Sequence, residues 1–238
     1  MLSRNFRLQE VGNLQWLKEN YEINSLLYSI DELIIINVNR VQKNLIQFNN
    51  NLKEIVKNCF MPVTAGGGIN SDDDVYNILK SGADKVVINS LLFSNPKMVK
   101  KIVSRFGSQC VVASIDYKII DSQRIVFINN GSVNTSLSLK QAVSKILELG
   151  VGELYLTSID RDGTGQGYDI EGIKEISSFA EVPVIASGGV GKFEQFDEGI
   201  VNANVDAVST ANLFYFMADS LADAREILKN KGIDMAIW

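Results

Sequence analysis

Two glycine-rich strings carry the clearest chemical signal in the sequence: Thr64-Ala65-Gly66-Gly67-Gly68-Ile69 and Ala186-Ser187-Gly188-Gly189-Val190-Gly191. Each joins a β-branched run to a stretch of helical period, so each reads as a turn from strand to helix. Glycines at such a junction let bare backbone N–H groups approach an anion closely, and phosphate is the natural ligand. They can also do no more than make a tight turn; two copies in corresponding places favour the ligand. The strand after each string ends in small polar residues, Asn89-Ser90 and Ala211-Asn212. One candidate anion site is therefore Gly67, Gly68, Asn89 and Ser90, and the other Ser187, Gly188, Gly189, Ala211 and Asn212. Two such sites suit a long substrate phosphorylated at both ends.

Asp116 closes the apolar run that starts at Val111, where a carboxylate is unexpected unless it points into a site. It is the candidate general acid or base; the plainer alternatives are a strand cap or an ion pair with Lys118. Asp160-Arg161-Asp162-Gly163-Thr164-Gly165 follows another strand. There Asp160 or Asp162 can orient a substrate, Gly163 can receive a phosphate and Thr164 adds a hydroxyl. A turn held by Asx hydrogen bonds is commoner in such a string than a divalent metal site, and no metal is assigned. The chain has no histidine, which excludes an imidazole catalyst and any Ser-His-Asp triad. Cys59 and Cys110, far apart and with no histidine to join them, read as core thiols rather than zinc ligands or nucleophiles. Glu32, Lys85 and Glu153 begin strands at the opposite end from the glycine strings. Charges there are usually solvated or structural, although three on barrel strands can surround an axial opening.

The elements that must position these residues alternate. Strand candidates lie at 32–38, 62–68, 85–90, 110–117, 153–160, 183–189 and 206–210, and helical stretches at 42–58, 71–81, 95–106, 138–149, 171–179, 192–203 and 218–231. Strand-helix alternation with near-continuous apolar strands implies a parallel sheet covered on both faces. Positions 121 residues apart match: Glu32/Glu153, Leu33/Leu154, Arg40/Arg161, Pro62/Pro183, Gly67/Gly188 and Gly68/Gly189, and a one-residue insertion brings Asp84 onto Asp206. The expected fold is a (β/α)8 TIM barrel forming one domain over 1–238, with half-repeats of about 1–118 and 119–238. The mate of Asp116 would fall before residue 1, so the first strand is missing or degenerate. Residues 1–9 are a polar substitute for it, and Asn13–Tyr21 reads as the first helix. Such a gap leaves unpaired edges unless residues 1–9 fill the slot, a partner covers it or the chain is truncated. With 238 residues and 46% hydrophobic content, one large core is expected. No apolar run reaches membrane-spanning length and the first residues lack a signal segment, which points to a cytoplasmic protein. The net charge of -5, with basic residues scattered, argues against nucleic acid as a partner.

Taken together these residues resemble HisF, the cyclase subunit of imidazole glycerol phosphate synthase. The strings FGSQCVVASIDYK, LTSIDRDGTGQGYD and VIASGGVGKFEQF carry the resemblance, which covers nearly the whole chain from about Asn5. It implies a heterodimer with a HisH-like glutaminase docked at the amino-terminal face of the barrel, which releases ammonia that passes through the centre. At the carboxyl face the ammonia reacts with a bisphosphorylated ribulosyl aminoimidazole carboxamide intermediate, giving imidazole glycerol phosphate and an aminoimidazole ribotide. On this resemblance Asp116 matches the second catalytic aspartate. Gly67, Asn89, Ser90, Asp162, Gly163, Gly188, Ala211 and Asn212 match phosphate-site positions, and Glu32, Lys85 and Glu153 match the charged gate to the ammonia passage. No cofactor is implied, because the glycine strings lack dinucleotide-binding spacing. The family's first strand, with another catalytic aspartate, a nearby loop lysine and the gate's arginine, has no counterpart here, and Asn37 stands where the family usually has an aspartate. These departures, with the Arg7-Leu8-Gln9-Glu10-Val11-Gly12 opening and the Ile36-Asn37-Val38-Asn39-Arg40 strand end, look more like HisF-like proteins of surface-polysaccharide gene sets, which feed ammonia into amidation of a sugar. A third alternative is a catalytically silent barrel that docks and activates a glutaminase.

Overall fold

A computed structural model of the chain describes residues 1–20, 30–40, 44–57, 59–211, 220–233 and 235. Its β-branched runs form seven parallel strands: β3 (Leu33–Ile36), β4 (Val63–Gly66), β5 (Lys85–Ile88), β6 (Val111–Ile120), β9 (Glu153–Ser158), β10 (Val184–Ser187) and β11 (Ala207–Val208). They lie side by side in the order β11-β10-β9-β6-β5-β4-β3. Helices α2 (Leu45–Val56), α3 (Asp72–Lys80), α5 (Pro96–Phe106), α6 (Leu139–Leu147), α7 (Ile170–Ser177) and α8 (Glu194–Asp197) follow successive strands, with α9 (Ser220–Asn230) after the last. The result is a parallel sheet curled into part of a TIM barrel.

Alternation along each strand decides what the two faces hold. Val111, Ala113, Ile115, Leu154, Leu156, Val184 and Ala186 join the apolar core shared with the helices. The residues between them, among them Ser114, Asp116, Glu153, Tyr155 and Ser187, therefore face the lumen. The helices start where their sequences supply caps. Ser71 and Ser138 each form a capping box, with Asp74 and Gln141, and Asn95 caps α5 with Pro96 in its first turn.

Residues 1–9 do not fill the vacant strand position. β1 (Leu2–Arg4) and β2 (Arg7–Gln9) pair antiparallel with each other about a tight turn at Asn5 and Phe6, whose φ angles are 51° and 61°. Among the described residues β3 and β11 are each paired on one side only. The first helix, α1 (Leu14–Asn20), stands where the sequence places it.

Two departures lie elsewhere. β6 runs on to Ile120 and turns back through β7 (Gln123–Ile128) and β8 (Val133–Ser138), an antiparallel extension beyond the expected strand. The expected helix at 192–203 is a short α8 that widens into a π turn at Glu198–Asn202. Gly199 sits in that turn, where a Cβ would come within 2.7 Å of Val208 and 3.0 Å of the Tyr168 ring, so helix and strand meet more closely than any side chain permits. A further short helix, α4 (Ser90–Ser94), begins at the residue the sequence assigns to the end of the third strand.

Candidate functional site at the carboxyl ends of the strands

Asp116 is the lumen-facing residue near the middle of β6 and is 8% exposed. Asn89, at the end of β5, donates from its side-chain amide to the Asp116 carboxylate at 3.1 Å and to the Ser114 carbonyl at 3.0 Å. Burial raises the Asp116 pKa from the ordinary carboxylate range to about 7; the charge of Asp162 adds to the rise, and the hydrogen bond from Asn89 opposes it. Lys118 does not neutralise it, since its ammonium donates to the Gly131 carbonyl at 3.0 Å and lies over the Phe127 ring. A carboxyl group poised near neutral pH in a lumen can take up or release a proton there.

The two glycine strings occupy equivalent places at the ends of β4 and β10. Gly67 has φ 98° and Gly188 φ 90°, a region that favours glycine. A Cβ on Gly67 would lie 2.4 Å from the Asn37 carbonyl oxygen, and one on Gly188 would lie 2.8 Å from that of Ser158, the counterpart of Asn37 in the repeat. Packing against the neighbouring strand thus requires glycine at both positions. Both loops share a second feature: among the described residues the N–H groups of Gly68 and Gly189 donate to no backbone acceptor. The halves also repeat a buttress, with Asp84 accepting from Val63 N and Asp206 from Val184 N, each at 2.8 Å.

The other candidates divide. Ser90 donates to the Asn89 side-chain oxygen at 3.2 Å and accepts from Asn129 N, so the Asn89-Ser90 pair supports Asp116 as much as it borders the first glycine loop. Asp160 accepts from Ile119 N at 2.7 Å, which ties its carboxylate to the β6 backbone instead of leaving it turned to a substrate. Asp162 is held by the β1–β2 hairpin: the Ser3 hydroxyl donates to its carboxylate, and Asn5 N donates to its carbonyl at 2.7 Å. Gly163 has φ 69°, and the Thr164 hydroxyl donates to the Arg161 carbonyl at 2.7 Å, closing the loop on itself. Ala211 is exposed at the end of a described segment. Asn212 lies outside the described residues.

At the amino ends of the strands the three charges do meet. Lys85 Nζ lies 3.0 Å from Glu32 and 2.5 Å from Glu153. Burial pulls the Lys85 pKa down, but hydrogen bonds to Glu153 and Glu32 and their charges outweigh it and hold the ammonium above its usual value. Lys85 is therefore a fixed cation at the base of the lumen, at the opposite end from Asp116.

Sequence reasoning passed over Tyr155 and Ser209. Tyr155 Oη is 2.9 Å from Ser187 Oγ and 3.4 Å from Ser209 Oγ. The signal was available, because Tyr155 stands two residues after Glu153 on one strand and so shares its face.

Comparison with known proteins follows the same lines. The family model described as histidine biosynthesis protein matches residues 19–219. The hisF2 protein of Parasynechococcus marenigrum is 37% identical over 238 residues, 100% of this chain and 88% of that protein. Imidazole glycerol phosphate synthase subunit HisF of Clostridium botulinum strain 657 is 36% identical over 97% of this chain and 90% of its own length. The subunit of the same name from Chlorobaculum tepidum is 38% identical over 87% and 82%.

Proposed function

Because the chain belongs to the HisF family of histidine biosynthesis proteins, we propose that it is the ammonia-using cyclase subunit of a glutamine amidotransferase of the imidazole glycerol phosphate synthase type. The observation that supports this most is Asp116, a lumen carboxyl group with a pKa of about 7 set between two glycine loops. In this reading the loops at Gly67-Gly68 and Gly188-Gly189, with Ser187, Gly163 and Ala211-Asn212, hold the two phosphates of a ribulosyl aminoimidazole carboxamide. Asp116 moves the proton at the reacting centre between them, and Asn89 keeps its carboxylate aimed. A HisH-like glutaminase docks at the amino face as the other half of a heterodimer. Ammonia enters past Glu32, Lys85 and Glu153, whose ion pairs must part or shift to let it through.

The test is turnover of the bisphosphorylated precursor by this chain alone at high ammonium concentration. Asp116→Asn keeps the size of the side chain and an acceptor for Asn89 but removes the proton carrier. It is expected to lower kcat about 10²–10⁴-fold with little change in KM. Equal turnover by both proteins would overturn the role of Asp116. Asn37, standing where the family usually has an aspartate, favours a second reading, a subunit for amidation of a surface-polysaccharide sugar or a silent glutaminase-docking barrel. Absence of turnover together with stimulation of a glutaminase would select the docking barrel.

A further inference from the structure

The repeat that makes the glycine loops alike leaves them unequal in one respect. Tyr155, Ser187 and Ser209 bring three hydroxyls together beside the second loop, whereas their first-half counterparts are Ile34, Gly66 and Val87, none with a side-chain hydroxyl. Tyr155 belongs to the lumen face of β9, because Leu154 and Leu156 on either side of it are buried in the core with the helices. In the strand register Tyr155 lies opposite Ser114, one lumen-facing residue above Glu153 and one below the level of Asp116. Ser187 precedes Gly188 in the second glycine string. Ser209 is set by its own backbone, whose N–H donates to the Ala186 carbonyl at 2.8 Å and whose carbonyl accepts from the Tyr168 hydroxyl at 3.0 Å.

The three hydroxyls are linked. Ser209 Oγ donates to the Tyr155 oxygen at 3.4 Å, and between Tyr155 and Ser187, 2.9 Å apart, either hydroxyl has the geometry to donate; when the phenol donates, Ser187 keeps its proton for a group outside the trio. Burial raises the pKa of Tyr155, so the phenol remains a donor at neutral pH. Linked donors of this kind polarise one another in a partly desolvated site.

We propose that Tyr155 is a positioning residue of the second anion loop: it holds the Ser187 hydroxyl toward the ligand, so this loop, whose glycine string carries a hydroxyl where the first string has Gly66, grips its phosphate more tightly than the first loop does. A substrate with two unlike phosphorylated ends then enters in one orientation. The inference rests on the two-loop reading above and adds the source of its asymmetry.

Titration of the full chain with inorganic phosphate, followed by two-dimensional amide NMR, reads the loops separately through the resonances of Gly67 and Gly68 and of Gly188 and Gly189. The second pair is expected to report the tighter site. Tyr155→Phe keeps the ring and removes the hydroxyl, and is expected to weaken that site roughly three- to tenfold while leaving Gly67 and Gly68 unchanged, the effect of about one hydrogen bond. Ser209→Ala leaves the ring and its hydroxyl in place and removes only the donor behind it, and should weaken the same site to a smaller degree. Equal affinities at the two loops, or a second loop indifferent to Tyr155→Phe, overturn the role of Tyr155 and leave the two-loop reading standing. Phosphate-induced shifts at neither loop overturn both.

Discussion

A carboxyl group held at a pKa of about 7 binds its proton more firmly in the folded chain than in the unfolded one, where the ordinary value is 3.8. The sign follows: the fold is unpenalised below the unfolded value, loses stability as pH rises from there and stops losing it above the folded value. Asp116 thus costs stability when ionised, which is how a reactive group in a lumen commonly behaves. Asp116→Asn carries no such cost. It is expected to unfold at higher urea concentration than the natural chain at pH 8, with a stability gain on the order of 2–3 kcal/mol. Between pH 5 and 7 the gain should grow by at most about 1.4 kcal/mol per pH unit, then level off. Urea melts of both proteins across that range check it; a gain independent of pH would mean that ionisation of Asp116 is not what the fold resists. Asp116 was legible in the sequence because an apolar run ending in a carboxylate has few explanations. Tyr155 was passed over because a tyrosine within such a run looks like core; its spacing from Glu153 marks the lumen face, but its role shows only in its hydroxyl partners Ser187 and Ser209.

The antiparallel extension of β6 is anchored through Arg124, which pairs closely with Asp169 and, at 3.5 Å, with the exposed Glu171. Arg124 on β7 meets Asp169, the N-cap of α7, with two hydrogen bonds of 2.6 and 2.8 Å, and the Asp169 side chain is 4% exposed. Burial alone would raise the Asp169 pKa, but the bonds and charge of Arg124 more than reverse this and hold it low. Arg124→Met keeps the length of the side chain yet leaves a buried carboxylate without its cation, and is expected to destabilise the fold by about 3 kcal/mol. In the double variant with Asp169→Asn the loss should fall well short of the sum of the two single losses, because removing either partner already breaks the same pair. A double-mutant cycle in urea measures this, and simple additivity would show that the pair is not coupled. The seven barrel strands were readable because each is an apolar run bounded by a turn. β7 and β8 were passed over although their signals exist: Asp121-Ser122 and Asn129-Asn130-Gly131 carry positive φ throughout and mark hairpin turns. Parallel strand-helix order led the reading away from them, since that pattern contains no hairpins. The π turn at Glu198–Asn202 had no sequence signature beyond Gly199, whose meaning depends on Val208 and Tyr168 lying against it.

At the scale of the whole molecule the repeat explains both what is paired and what is not. Among the described residues, β9 lies between β6 and β10 in the second half while its counterpart β3 is paired with β4 alone; β5 lies between β4 and β6 while its counterpart β11 is paired with β10 alone. Among these residues both edges lack the same neighbour, the counterpart of β6, so the gap foreseen from the 121-residue spacing reappears as two open strand edges. Backbone direction locates the consequence. Leu33 N donates to Pro62 O at 3.0 Å and Asn37 N to Gly66 O at 2.8 Å, which places one row of β3 amides toward β4. By alternation the N–H groups of Ile34 and Ile36 point to the open side, and Ile36 is 39% exposed although it sits on the lumen face. Val87 and Ala113, on β5 and β6, are 4% and 0% exposed and have a paired strand on each side. Native-state hydrogen exchange should therefore find the amides of Ile34 and Ile36 protected by at least about 2 kcal/mol less than those of Val87 and Ala113. If all four exchange only through global unfolding, the β3 edge is covered in solution, and the asymmetry between the two halves of the barrel ends at its strand count.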